Sequence, residues 1–168
     1  RVMLNGGGCS FKMDGQALVL ENLPEGTEPF ELEIFTTCAP EKNTQLMGLY
    51  VSQETFFTQC EAEGFRRITF FPDRPDVLSV YTVHMEGPKA LFPVLLSNGN
   101  CTAAGDGPLP GTHQATWHDP WPKPSYLFAL VAGRLVVREQ RIRTRAGRDH
   151  LLQIYVREGD LEKTEHAM

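Results

Sequence analysis

Apolar and polar residues alternate along much of this chain, and glycine, proline or asparagine interrupts the alternation at short intervals. In residues 30–36, for example, Phe30, Leu32 and Ile34 fall on one side and two glutamates fall on the other. A period of two is the repeat of a half-buried β-strand. Roughly ten to twelve short strands of this kind predict an all-β fold, either an antiparallel β-sandwich or an open, saddle-like pair of sheets.

Local signals predict where several of these strands begin and end. The pair Asn98-Gly99 follows an apolar run and predicts a β-hairpin. Residues 119–124, D-P-W-P-K-P, are predicted to lie outside any central strand, because proline has no N–H to donate. The apolar run at residues 125–132 predicts a buried strand. Residues 135–144 and 150–156 predict a closing hairpin.

Length and charge restrict the class of protein and its partners. The chain has 168 residues, 41% hydrophobic and 22% charged, which suits one globular domain better than a disordered segment. A net charge of −5 argues against nucleic acid or an anionic membrane as the main partner. No apolar run approaches the roughly 20 residues that span a bilayer. Because the chain opens on Arg1 in what looks like a strand end, we expect the natural N-terminus to lie upstream.

Cysteine and histidine do not have the spacing of a metal site. The four cysteines include no C-x-x-C pair, and no histidine stands at ligand spacing from a cysteine. We therefore expect no metal ligands in this chain. Four cysteines in 168 residues are also too few for a disulfide scaffold, so we interpret them as free thiols in a reducing cytoplasm.

The chemically densest stretch is residues 58–66, which read T-Q-C-E-A-E-G-F-R. Strands disfavour acidic residues, so this stretch interrupts the β pattern. On an extended chain Glu61 and Glu63 would face the same side, roughly 6 to 7 Å apart. Such a pair suits inverting glycoside hydrolysis. Alternatively, one carboxylate at the mouth of a pocket, with the Gln59 amide beside it, suits the binding of a cation. A solvated loop is the simplest alternative.

No other motif completes an active site. The sequence contains no H-E-x-x-H, no G-x-S-x-G, no phosphate-binding loop and no dinucleotide fingerprint. Six arginines between Arg134 and Arg148 indicate a solvated face or a contact surface for another domain. Trp117 and Trp121 flank an Asp-Pro pair and either pack a crossing between sheets or stack on a sugar.

Four segments carry a family resemblance. They are T-Q-C-E-A-E-G-F-R at 58–66, D-R-P-D-V at 73–77, P-V-L-L-S-N-G-N at 93–100 and D-P-W-P-K-P-S-Y-L-F-A-L-V-A-G at 119–133. In order and spacing they closely resemble the N-terminal domain of the bacterial aminopeptidase N family, zinc metallopeptidases of the gluzincin type. The resemblance extends from about Leu4 to Met168.

The resemblance implies an all-β, saddle-like antiparallel β-sandwich that packs over a thermolysin-like catalytic domain in the bacterial cytoplasm. Residues 1–157 would form this N-terminal domain, truncated at its start, and residues 158–168 would form a linker. The family holds its zinc in the catalytic domain, through H-E-x-x-H and a distant glutamate, beside a G-A-M-E-N motif. None of these motifs is present here. We therefore expect the isolated chain to hold no metal and no catalytic residue, to be inactive alone, and to self-associate through its uncovered surface.

The resemblance also implies the site residues and the substrate, a peptide with a free N-terminus. Gln59 and Glu61 would reach the substrate, with Glu61 binding the free α-amine and Gln59 positioning the first residue. An α-amine has a pKa near 8 and is largely cationic at pH 7. Ala62 and Glu63 are further candidates, Glu63 with the weaker case. A cis peptide bond between Glu61 and Ala62 is implied as well.

Two other classes of function stay open at this point. The chain would also suit a stand-alone immunoglobulin-like β-sandwich that acts as a binding module. A hydrolase that uses Glu61 and Glu63 as an acid pair is the third hypothesis. A G-A-M-E-N and an H-E-x-x-H downstream of Met168 would favour the aminopeptidase over both.

Overall fold

The computed structural model describes residues 1–168. It consists of β-strands in several antiparallel sheets, with short 3-10 helices and no α-helix, so the predicted all-β class is confirmed. The strands are β1 (Val2–Leu4), β2 (Gly7–Gly8), β3 (Phe11–Asp14), β4 (Ala17–Leu20), β5 (Leu32–Ile34), β6 (Gly48–Ser52), β7 (Thr55–Gln59), β8 (Ser79–Pro88), β9 (Val94–Ser97), β10 (Asn100–Asp106), β11 (Thr112–Lys123), β12 (Leu130–Gly133), β13 (Val136–Arg143) and β14 (Asp149–Val156). The 3-10 helices are Pro40–Lys42, Phe65–Arg67, Ser125–Leu127, Glu158–Asp160 and Glu162–Ala167.

The chain forms two compact units. The first contains Arg1–Val51, Phe57–Tyr81 and Asp119–Ala129, and the second contains Ser52–Phe56, Thr82–His118 and Leu130–Met168. Four strands, β6, β7, β8 and β11, contribute residues to both units. The larger sheets have the strand orders β6-β7-β12-β9 and β10-β11-β8. The predicted boundary between a domain and a linker after residue 157 stays a prediction.

Aromatic packing dominates the interior of the first unit. Phe65 is 7% exposed, and its ring centroid lies 5.1 Å from that of Phe71 and 5.0 Å from that of Phe128, both edge to face. In the same unit, β1 pairs with β2 and β5, and β3 pairs with β4. The strand predicted over residues 30–36 is shorter than expected, because only β5 is extended and paired while Phe30 is exposed.

The second unit has a small aliphatic core. Its fully buried members are Met85, Leu95, Ala115 and Ala132. Trp117 packs against this cluster, and its indole N–H donates to the carbonyl oxygen of Leu95 at 3.0 Å. Trp121, in the first unit, is 76% exposed, so the expectation that both tryptophans pack internally is correct only for Trp117.

Two sequence patterns predicted their strands well. Along β8, burial alternates with exposure residue by residue, as the apolar-polar alternation of residues 77–85 predicts. The closing hairpin is also confirmed, since β13 and β14 pair from Val136 opposite Val156 to Arg143 opposite Asp149. Arg141 and Arg143 are exposed there and Ile142 is partly buried, in agreement with their alternate positions.

The turn at Asn98-Gly99 does not close the predicted hairpin. Gly99 has a φ of +83°, a left-handed conformation that favours glycine. However, β9 pairs with β12, and β10 pairs with β11. The turn therefore carries the chain from one sheet to another. A turn signal reports a local reversal of the backbone, whereas tertiary packing selects the strand's partner.

The proline-rich segment lies inside a strand, contrary to the prediction. Strand β11 continues through Pro120 and Pro122. The partner β10 pairs with β11 only as far as His118, which stands opposite Asn100. Beyond His118 this side of β11 has no β10 neighbour, and prolines are tolerated at a strand edge that needs no N–H donor.

The prediction of a buried strand over residues 125–132 is wrong for the first half of that range. A 3-10 helix occupies Ser125–Leu127, and β12 begins only at Leu130. Ser125 is 1% exposed, and its hydroxyl donates to the carboxylate of Asp73. The predicted run therefore begins at a buried serine in a helical turn and not in a strand. None of the chain's helices is long or apolar enough to cross a membrane.

Candidate functional site

The predicted site residues lie on a turn at the end of β7. The strand ends at Gln59, residues 61–64 form the turn, and the 3-10 helix Phe65–Arg67 follows. Gln59, Glu61 and the two residues after Glu61 are exposed, whereas Cys60 is 3% exposed. The buried ring of Phe65 anchors the far end of the turn. The turn therefore presents its polar side chains on the surface from a well-packed base.

The turn is compact because Gly64 closes it. The Gly64 N–H donates to the carbonyl oxygen of Cys60 at 2.8 Å. A Cβ atom on Gly64 would lie 2.9 Å from the Cα atom of Cys60 and closer still to the carbonyl oxygen of Gln59. No side chain fits that space, so glycine is required by close approach. The peptide bond between Glu61 and Ala62 is cis, which confirms that expectation.

Gln59 and Glu61 contact each other on the turn, and their predicted role in binding a substrate stays a prediction. The side-chain amide of Gln59 donates to the main-chain carbonyl oxygen of Glu61 at 3.1 Å. The Glu61 carboxylate has no hydrogen-bond or ion-pair partner within this chain. The Glu61 carboxylate is thus unpaired within the chain, while the main chain that carries it is held by a hydrogen bond from Gln59.

Glu63 differs from Glu61 in having a cationic partner. Its carboxylate oxygen Oε2 lies 3.4 Å from Nη1 of Arg66, three residues along the chain. Both side chains are substantially exposed, so the pair contributes little to stability by itself. It does make Glu63 a less available acid than Glu61, which weakens the hypothesis of an acid pair.

A buried carboxylate lies beneath the turn. The side chain of Asp73 is 3% exposed, and its Oδ2 atom accepts hydrogen bonds from the main-chain N–H and the Nε–H of Arg66, both at 3.0 Å. Its Oδ1 atom accepts from the hydroxyl of Ser125. The Arg66 guanidinium also donates from Nη2 to the Asp73 carbonyl oxygen at 2.7 Å. Asp73 therefore connects the segment of Arg66, seven residues before it, to Ser125, 52 residues after it.

These contacts shift two ionisation equilibria. Burial alone would raise the pKa of Asp73, but the hydrogen bonds from Ser125 and Arg66 and the charge of Arg66 outweigh it and lower the pKa below 3.8. Burial, followed by the nearby charge of Asp73, raises the pKa of the Cys60 thiol to about 11. Cys60 is therefore a protonated packing residue at neutral pH and not a nucleophile.

The lowered pKa of Asp73 predicts a pH-dependent contribution to stability. At pH 7, Asp73→Asn is expected to lower the free energy of unfolding of the full chain by about 1–3 kcal/mol, because a charged hydrogen-bond acceptor is lost. Unfolded Asp73 binds its proton near pH 3.8 and folded Asp73 only at lower pH. The contribution is therefore complete above about pH 5 and disappears as the pH falls below 3.8, through the folded pKa.

Urea unfolding of both proteins at pH 7, 5, 4 and 3 measures this difference. We expect the gap between wild type and Asp73→Asn to stay constant from pH 7 to 5 and to shrink at pH 4 and 3. A gap of the same size at every pH would contradict the assignment.

The residues of this chain do not fit a zinc site. No group of three or more histidine, cysteine, aspartate or glutamate side chains converges to hold a metal ion. Three histidines bind polar neighbours instead: His84 with Thr116, His118 with Thr82 and His113 with the Phe92 carbonyl. An open cavity of about 540 Å³ lies in the second unit, beside Leu95, Trp117 and Tyr155, and contains none of the predicted site residues.

The sequence analysis assigned no role to three residues that shape the site, Arg66, Asp73 and Ser125. Each lies in one of the segments that carry the resemblance. A sequence signal existed only for Asp73, an acidic residue between Pro72 and Pro75 in a turn-rich break. Its pairing with Arg66 and Ser125 arises only when the chain folds.

Comparisons with known proteins match the part of the chain that contains these residues. The family model described as the peptidase M1 N-terminal domain matches residues 8–127. Aminopeptidase N of Escherichia coli is 47% identical over 159 residues, which are 95% of this chain and 18% of that protein. Aminopeptidase N of Haemophilus influenzae is 46% identical over 158 residues, with the same 18% of its length covered.

A solved structure gives the same result. Aminopeptidase A of Legionella pneumophila, crystallised in complex with aspartic acid, superposes with a TM-score of 0.90 and 36% identity over 99% of this chain and 19% of that chain. The chain therefore spans less than a fifth of the length of the curated relatives and of this structure.

Proposed function

This chain belongs to the peptidase M1 N-terminal domain family, and we propose that it is the substrate-binding N-terminal domain of a zinc-dependent aminopeptidase, which removes amino acids from the N-terminus of peptides. Within that enzyme, Glu61 binds the free α-amine of the substrate. Gln59 helps to position the first residue. The catalytic domain of the same enzyme is the partner that this domain covers.

One observation carries the proposal, which is the contrast between two neighbouring acids on the same turn. Glu63 pairs with Arg66, whereas the exposed Glu61 carboxylate has no partner within the chain. An exposed carboxylate held on a rigid turn is available to a cation that arrives from outside. The main-chain carbonyl oxygen of Glu61 already accepts a hydrogen bond from Gln59 at 3.1 Å, so the main chain loses little conformational freedom when a ligand binds.

The chemistry of a free N-terminus matches this carboxylate. An α-amine with a pKa near 8 is mostly cationic at pH 7, whereas an internal peptide nitrogen is neutral. A carboxylate in a closed site favours the cation. It disfavours the neutral amide, because that amide would leave the charge of the carboxylate unpaired. Selection by charge therefore restricts cleavage to the first residue. This is the selectivity that an aminopeptidase requires.

The metal belongs to the remainder of the enzyme in this proposal. An M1 zinc metallopeptidase of Deinococcus radiodurans with a bound Tyr-Ser-Ala substrate shares this fold at a TM-score of 0.77 and 19% identity. The side chains of the present chain do not form a metal site. Gln59 and Glu61 therefore bind and orient the substrate, and the chain contributes no zinc ligand.

The role of Gln59 gives a direct test. In the intact enzyme, Gln59→Ala is expected to raise KM about 3- to 10-fold for a dipeptide with a free amine, the cost of one neutral hydrogen bond. The turnover number should change little. Gln16→Ala, an exposed glutamine in the β3-β4 turn, is the matched control and should leave both constants unchanged. Equal KM values for the two variants would remove Gln59 from the site.

A further inference from the structure

Asp73 is a buried group that holds the turn from below. It lies at the exit of the turn, where its carboxylate accepts the main-chain N–H of Arg66 at 3.0 Å. The Ser125 hydroxyl donates to the other carboxylate oxygen, and Ser125 is 1% exposed. The carboxylate is thus fixed on both oxygens, and it can move only if the packing around Ser125 moves with it.

Main-chain hydrogen bonds within the turn connect Glu61 to the position that Asp73 fixes. The N–H of Gly64 donates to the carbonyl of Cys60, and the N–H of Arg67 donates to the carbonyl of Gly64 at 3.0 Å. Gly64 also lies so close to the main chain of Gln59 and Cys60 that no side chain would fit between them. The chain from Gln59 to Arg66 is therefore one tight unit, and its orientation depends on where its end is attached.

Arg66 makes a second connection from the same carboxylate. Its Nε–H donates to Asp73 at 3.0 Å, while its Nη1 atom lies 3.4 Å from the Glu63 carboxylate. One guanidinium therefore links the buried acid to the outer side of the turn. Without the Asp73 carboxylate, Arg66 would keep only its hydrogen bond to the main-chain carbonyl oxygen of residue 73. Its charge would then pair with the exposed carboxylate that is closest.

We propose that Asp73 is a positioning residue for the amine-binding site: by holding the main chain and the guanidinium of Arg66, it sets the direction in which the turn presents Glu61. Asp73 does not touch the substrate. This inference rests on the proposed function of Glu61. It adds that affinity for the substrate amine depends on a buried acid 12 residues away in sequence.

Variants at position 73 separate the effect of the side chain's shape from the effect of its hydrogen bonds to Arg66 and Ser125. Asp73→Asn keeps the shape, and its amide can accept from Arg66 while it donates to the Ser125 hydroxyl, which is able to accept. Asp73→Ala removes every side-chain connection and leaves only the hydrogen bond from Nη2 of Arg66 to the main-chain carbonyl oxygen of residue 73. Asp76→Asn is the matched control, because Asp76 is exposed and pairs with Arg74 at 2.9 Å without any contact to the turn.

Kinetics and hydrogen exchange of the intact enzyme test the proposal. For a dipeptide with a free amine, Asp73→Ala is expected to raise KM about 10-fold or more while kcat changes less than about 3-fold. Loss of folded enzyme would lower the apparent kcat and leave KM unchanged, so the KM effect identifies positioning. Exchange of the amides in residues 59–67 should accelerate about 10-fold in the same variant. For Asp73→Asn, KM and the exchange rate should both stay close to their wild-type values. Asp76→Asn should change neither.

The outcomes distinguish this inference from the proposed function. If Glu61→Gln raises KM while Asp73→Ala changes neither KM nor exchange, the positioning role is wrong and the amine site stands. If Glu61→Gln leaves KM unchanged, the amine site itself is wrong, and the role of Asp73 falls with it. Should Asp73→Ala fail to fold, Ser125→Ala replaces it. That variant should raise KM and exchange about 3-fold, and no change in either would overturn the proposal.

Discussion

Glu61→Gln is expected to raise KM of the intact aminopeptidase about 30- to 1,000-fold for peptides with a free α-amine. The substitution keeps the shape of the side chain and removes its charge. The ammonium group of the substrate then enters a closed site without the carboxylate that compensates for its desolvation. In the proposed role Glu61 contacts the amine and not the scissile bond, so the turnover number should fall much less.

The measurement is steady-state kinetics from pH 6 to 9 on a dipeptide and on its N-acetylated form. For the wild type, KM should rise above about pH 8 as the amine loses its proton. Glu61→Gln should flatten this rise and reduce the preference for the free amine over the acetylated form.

Glu63→Gln is the matched control for this result. It removes the same charge two residues away, from an acid whose carboxylate lies 3.4 Å from Arg66. We expect KM to change less than about 3-fold, since an exposed ion pair contributes little. Equal effects of the two substitutions would mean that the net charge of the turn matters, and not the Glu61 carboxylate. An unchanged KM for Glu61→Gln would remove Glu61 from the site.

Phe65→Ala is expected to give the largest loss of stability, about 3–5 kcal/mol, because it empties the centre of an aromatic cluster. The ring of Phe65 is 7% exposed and lies 5.0–5.1 Å from two other phenylalanine rings and 6.2 Å from Tyr81. Since the total stability of a domain is about 5–15 kcal/mol, this loss brings the chain close to unfolding.

Urea denaturation of the full chain measures this effect. Phe65→Leu, which keeps most of the apolar volume, should lose only about 1–2 kcal/mol. Phe30→Ala is the control, since Phe30 is 44% exposed, and its loss should stay below about 1 kcal/mol. If Phe65→Ala were no more costly than Phe30→Ala, the turn would not be anchored by this ring.

The accuracy of the sequence-based predictions depended on the range of the interactions involved. Strands such as β8 and the closing hairpin were predicted because alternation and turn residues act between near neighbours. The strand that pairs with β10, after the turn at Asn98-Gly99, was not predicted, because pairing is decided between distant segments. The same holds for β11, whose prolines are acceptable because β10 pairs with β11 only as far as His118.

The candidate site divides in the same way. The residue types of the turn are given by residues 58–66, and the resemblance to M1 aminopeptidases is carried by four segments that include this one. The need for glycine at position 64 appears only in the structure. By itself the sequence determined the all-β class, the family and the two residues that the proposal uses.

Only the tertiary structure gave a physical difference between the two acids of the turn and revealed what holds it. Residue type and spacing present Glu61 and Glu63 as equivalent, and the family resemblance alone favours Glu61. Folding pairs Glu63 with Arg66 and leaves Glu61 free within the chain. It also brings Ser125 to Asp73, 52 residues away. The pair of Glu63 and Arg66 is local, since the two residues are three apart. The contact of Asp73 with Ser125 depends on the packing of distant segments, so no local pattern encodes it.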